Sequence, residues 1–80
     1  FYDHPDWAFP YLFLGSVFFE LNEPLWALRC FLKAWEIWEL RVGENSIDTA
    51  TVYNNIGVCM FMIEWFKEAL IFFELSNAII

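Results

Sequence analysis

The stretch Asp48-Thr49-Ala50-Thr51-Val52-Tyr53-Asn54-Asn55-Ile56-Gly57 decides how the rest of the chain is read. Four of its residues recur upstream at one offset: Asp6, Ala8, Tyr11 and Gly15 precede Asp48, Ala50, Tyr53 and Gly57 by 42 residues each. The same offset joins Ala27 to Ala69, Leu28 to Leu70, Phe31 to Phe73 and Ile37 to Ile79. A fixed internal period of this length implies stacked supersecondary units rather than one irregular core.

Outward from that stretch, apolar residues fall at spacings of three and four, and no segment alternates as a strand does. Residues 1–6 read as a linker into a helix, with Asp3 or His4 as cap and Pro5 in the first turn. A first helix over about 6–21 aligns Ala8, Tyr11, Leu14, Gly15 and Phe18, with Pro10 expected to distort its first turn. Asn22-Glu23-Pro24 is a break and restart, opening a second helix over about 24–41 that stops at Gly43. Its main apolar face is Leu25, Leu28, Phe31, Ala34 or Trp35, and Trp38; Trp26, Cys30 and Ile37 widen it. The polar residues Arg29, Lys33 and Glu36 keep to one line, with Glu39 beside it. A helix apolar over most of its circumference is buried on more than one side.

Residues 43–46 form the turn into the second unit, Asn45 or Ser46 capping and Asp48 lying in the first turn, where the helix dipole favours an acid. A third helix covers about 47–62, a short corner 63–65, and a fourth helix 66–80 with Phe66, Ala69, Leu70, Phe73 and Leu75 or Ser76 turned inward. The expected fold is all-α: a solenoid of two antiparallel helix hairpins, unit 1 over 1–43 and unit 2 over 44–80.

Composition sharpens this. Of the 80 residues, 60% are apolar and 22% aromatic, against roughly 45–50% apolar in ordinary soluble domains. A chain this short buries only about 60–70% of its unfolded surface. The expectation is a piece of a longer array whose neighbours cover the surplus. Eleven acids against four bases give a net charge of −7, the wrong sign for phosphate backbones or anionic membranes. Two long uncharged runs occur: residues 7–19 contain Pro10 and Gly15, and residues 49–63 carry Asn54, Asn55 and Gly57. Each covers about 20 Å as helix, short of the roughly 30 Å hydrocarbon layer. Cys30 and Cys59 lie in helical patterns without a CxxC or clustered His, and read as two buried thiols rather than a disulfide or metal pair.

The spacing resembles the tetratricopeptide repeat. Tyr11, Leu14, Gly15, Phe18, Ala27, Phe31 and Ala34 fall where that family has its aromatic, Leu, Gly, aromatic, Ala, aromatic and Ala positions. The second unit offers Tyr53, Ile56, Gly57, Met60, Ala69, Phe73 and Ser76 at those places. The period of 42 exceeds the ordinary repeat of about 34 residues. Together with Asp3-His4-Pro5-Asp6 and the Asn54-Asn55 pair, it is similar to the kinesin light chain type. In the first unit Leu12-Phe13 stands where the Asn pair would be, and Ile47 replaces a Pro.

The resemblance implies a concave groove, lined by the first helix of each unit, that binds peptides. By position the groove set is Phe9, Leu12, Phe13, Ser16 and Phe19, then Thr51, Asn54, Asn55, Val58 and Met62. Asn55 is the sharpest candidate, since an amide can both donate to and accept from an extended main chain. The bland alternative is that Asn54 and Asn55 satisfy each other, neighbouring helices or water. The apolar groove of unit 1 points to a hydrophobic or helical partner segment. Trp26, Trp35, Trp38, Phe72 and Ile79 read equally as inter-repeat packing or as an interface with another protein.

Catalysis finds no footing. His4 is the single His, in the lead-in, and Glu36/Glu39 and Glu64/Glu68 have no nucleophile or phosphate loop beside them. The sequence therefore predicts a non-catalytic scaffold or adaptor, without cofactor or metal, that binds protein and neither nucleic acid nor membrane. The resemblance implies a cytoplasmic, cytoskeletal or ciliary assembly. The alternative is a regulatory repeat domain of a larger enzyme.

Overall fold

The computed structural model describes residues 8–41 and 47–79, with side chains over 8–38 and 49–79. Its helices are α1 (Ala8–Glu20), α2 (Pro24–Arg41), α3 (Ile47–Met62) and α4 (Phe66–Ile79), with no strand among the described residues. The lead-in caps at Asp3 or His4, the Gly43 stop and the 43–46 turn lie outside the described residues, as do the side chains of Glu39 and Asp48.

Both hairpin turns are built the same way. At the end of α1 the Asn22 N–H donates to the Phe19 carbonyl at 3.0 Å and the Glu23 N–H to Phe18 at 2.9 Å. At the end of α3 the Glu64 N–H donates to Phe61 at 3.1 Å and the Trp65 N–H to Met60 at 2.8 Å. These paired bonds satisfy orphan carbonyls in a Schellman motif, which demands a left-handed residue after the helix. Asn22 (φ 61°) and Glu64 (φ 67°) supply it. The next residue at once accepts the first bond of the following helix: Ala27 N–H to Glu23 at 3.0 Å, Ala69 N–H to Trp65 at 2.9 Å. One residue thus ends one helix and begins the next, which turns the chain back on itself within three residues, 21–23 or 63–65.

With α1 described over Ala8–Glu20, Pro10 falls in its first turn, where a backbone N–H has no intrahelical acceptor to lose.

The paired helices meet over a glycine. A Cβ on Gly15 would lie 2.7 Å from the Phe31 ring, and one on Gly57 2.7 Å from the Phe73 ring. Each aromatic of the second helix thus fills a notch that only glycine leaves in the first. Further along, Phe9 meets Trp38 edge-on at 5.3 Å and Phe18 lies 6.2 Å from Trp26. Contacts early in α1 fall late in α2, so the hairpin is antiparallel. In the second hairpin the buried Ser76 hydroxyl donates to the Ala50 carbonyl at 2.9 Å, tying the end of α4 to the start of α3.

The core centres on α3, which packs against α2 on one side and α4 on the other. Val52, Ile56 and Cys59 are fully buried there; a buried Val or Ile contributes about 1.5–3 kcal/mol. Trp35 joins the units, 6.3 Å from Tyr53 and 6.5 Å from Phe72, which are themselves 5.9 Å apart.

Several residues expected to face inward do not. Leu25 of α2, Leu14 of α1, and Phe66 and Leu70 of α4 are all exposed, and Trp26 is half exposed with Arg29 stacked over its ring at 5.2 Å; of the alternatives Leu75 and Ser76, Ser76 is the buried one. Among the described residues α1 packs chiefly on α2 and α4 chiefly on α3, which leaves some of their apolar positions open. Glu36, Glu64 and Glu68 are solvated. The Lys33–Glu36 pair, 3.8 Å apart at the surface, adds little stability. Among the described residues no helix is long and apolar enough to cross a membrane.

Candidate functional site

The first helices of the two units, α1 and α3, share a face, and one pocket opens between them. Ser16, Phe19 and Glu20 come from α1, Asn55 and Val58 from α3, and the buried Phe31 of α2 is its floor. Its volume is about 170 Å³, below the 300–1,000 Å³ of small-molecule sites. A cleft of that size takes a single side chain.

The lining is mixed. Phe19, Phe31 and Val58 give apolar walls, while Glu20 and Asn55 give a carboxylate and an amide. The Ser16 hydroxyl donates to the Leu12 carbonyl of its own helix at 3.0 Å, which leaves its oxygen as an acceptor. Acceptors on a greasy base fit a guest with an apolar stem and a donor tip.

Of the ten groove residues drawn from the sequence, Ser16, Phe19, Asn55 and Val58 meet in this pocket. Phe13, Thr51, Asn54 and Met62 lie exposed outside it, and Leu12 is half-buried against the core. Phe9 is exposed but turns its ring edge toward Trp38.

Glu20 and Phe31 also line the pocket and lie outside the groove set that the sequence predicts. Glu20 was within reach: Met62 was placed in the groove, and 42 residues before Met62 stands Glu20. Glu20 also follows Ser16 by four positions, hence on the same helix stripe. Phe31 packs against Gly15 and also lines this pocket.

The two cysteines lie away from this pocket as free, buried thiols. Burial pushes Cys30 above the usual thiol value and Cys59 from 9.0 up to about 11, so neither is a ready nucleophile.

A family profile described as tetratricopeptide repeat matches residues 3–79. The chain belongs to the tetratricopeptide repeat family, whose members generally mediate protein–protein interaction. No curated protein and no solved structure matches it significantly.

Proposed function

We propose that this chain is a non-catalytic interaction module that holds a segment of a partner protein along the α1–α3 face. One partner side chain, a lysine or arginine, enters the pocket between the two helices. The observation that carries this reading is the pairing of Glu20 and Asn55 over Phe19, Phe31 and Val58. The net charge of −7 favours the same class of guest at longer range. Exposed Phe13 and Met62, with Asn54 and Thr51, extend the surface on either side for the rest of the segment. The likeness to the kinesin light chain type supports a peptide partner and a cytoplasmic, cytoskeletal or ciliary setting.

The test is a peptide array that varies one basic residue within an apolar frame, probed with the 80-residue chain. Peptides with Lys or Arg are expected to be retained and their norleucine versions lost. Glu20→Gln and Asn55→Ala should each weaken the best peptide about tenfold, the loss expected for one charge-assisted hydrogen bond. Retention that ignores the basic residue, or survives both substitutions, would remove the proposal.

A further inference from the structure

The repeat shows which surfaces stay open whatever stands beside a unit. Unit 1 has unit 2 after it and unit 2 has unit 1 before it, so a position exposed in both is covered from neither side. Five such pairs gather at the hairpin turns: 20 and 62, 22 and 64, 23 and 65, 25 and 67, 26 and 68. Four of these residues are acids and one, Lys67, is a base. Four more are large and apolar: Leu25, Trp26, Met62 and Trp65 are 47%, 51%, 40% and 48% exposed.

Ser16, Phe19 and Glu20, late in α1, meet Asn55 and Val58, in the second half of α3, across one pocket, so these two helices run parallel. The turns that follow them, 21–23 and 63–65, therefore lie at the same end of the molecule, one helix spacing or roughly 10 Å apart. Together they make one strip of exposed Trp, Leu and Met with acid along it. Apolar surface rimmed by polar groups in this way marks a protein-binding site.

We propose that this strip docks a basic amphipathic helix of a partner protein, lying across the two turns. Its apolar stripe rests on Leu25, Trp26, Met62 and Trp65, and Lys or Arg on its margins meets the acids. Two features favour a helix over an extended segment. A separation of roughly 10 Å equals about seven residues of helical rise, so stripe residues one heptad apart reach successive turns. Every N–H of both turns already donates to the helix before it, so an extended segment finds no free donor there. Charge selects the class of partner. Four acids against one base attract a basic helix and repel an anionic membrane.

Fluorescence anisotropy of a labelled synthetic helix tests this, titrated with the 80-residue chain. The probe is a helix of about 18 residues with Leu on one face and Lys on its margins. It should bind, and more weakly as salt is raised. The same helix with Glu for Lys should bind at least about tenfold more weakly. Leu25→Ser and Trp65→Ser lie on different turns, and each should weaken the Lys helix about tenfold. Trp65→Phe keeps a ring and should retain most of the binding. Both serine positions are exposed, so far-UV circular dichroism should be unchanged. A chain that does not bind the Lys helix, or that binds the Glu helix as well, overturns the proposal. So does binding that survives both serine substitutions, or a chain that binds neutral phosphatidylcholine vesicles in place of the helix.

Discussion

At Gly15 and Gly57 a missing methyl group sets how near two helices come, and the two sites are not equally forgiving. Alanine at either would put Cβ 2.7 Å from a phenyl carbon. Phe31 is buried and hemmed by α3, whereas Phe73 is only partly buried and can swing toward the open side of α4. Overpacking costs about 1–3 kcal/mol and the helix gains roughly 1 from replacing glycine. Urea titration should therefore show Gly15→Ala destabilising by about 1–2 kcal/mol and Gly57→Ala by less than about 1. Adding Phe31→Leu should recover part of the Gly15→Ala loss. Cys59 gives a second expectation. Its folded pKa is raised from 9.0 to about 11. Below pH 9 the thiol is neutral in both states; above it the unfolded chain ionises first. Stability should fall as pH rises from about 9 to 11, and Cys59→Ala should reduce that slope, the part left belonging to Cys30, whose thiol burial also raises.

The element most exposed to improvement is the second hairpin turn. A left-handed residue is easy for asparagine, but for glutamate it costs about 1–2 kcal/mol, partly returned through the unfolded chain. Glu64→Gly should therefore raise the melting temperature, by about 4–8 °C if the net gain reaches 1 kcal/mol. Asn22→Gly should change it far less. The first turn was legible because Asn22 and Pro24 are both turn residues. The second was not legible from its own letters, since Ile63, Glu64 and Trp65 contain no such signal. Only the offset from Asn22 to Glu64 marks it, and the bond pattern then proves identical.

For the molecule as a whole, Trp35 is the residue through which one unit senses the other. Trp35→Ala should turn a single cooperative unfolding transition into a broader one with a lower m-value, as expected when a repeat interface weakens. Trp35→Phe keeps the ring and removes an indole N–H that has no acceptor among the described residues; it should stay cooperative. The all-α repeat fold was readable because helix hairpins need small residues opposite aromatics, and Gly15/Phe31 and Gly57/Phe73 announce that twice. Periodicity reports which side of a helix is apolar, not whether anything covers it, so Leu14, Leu25 and Leu70 were assigned inward and stand outward. The pocket was half readable for a related reason. Position on α1 and α3 gave Ser16, Phe19, Asn55 and Val58, while the floor comes from α2, which a reading of first helices alone omits.

The shared residue in each hairpin turn also bears on how such a chain carries load. Glu23 and Trp65 each serve two helices at once, so a hairpin has no slack to pay out before backbone bonds must break. Across α2 and α3 the contact is side chain on side chain, and aromatic rings can slide. Under tension the array should behave as stiff struts joined by compliant hinges, lengthening first at Trp35.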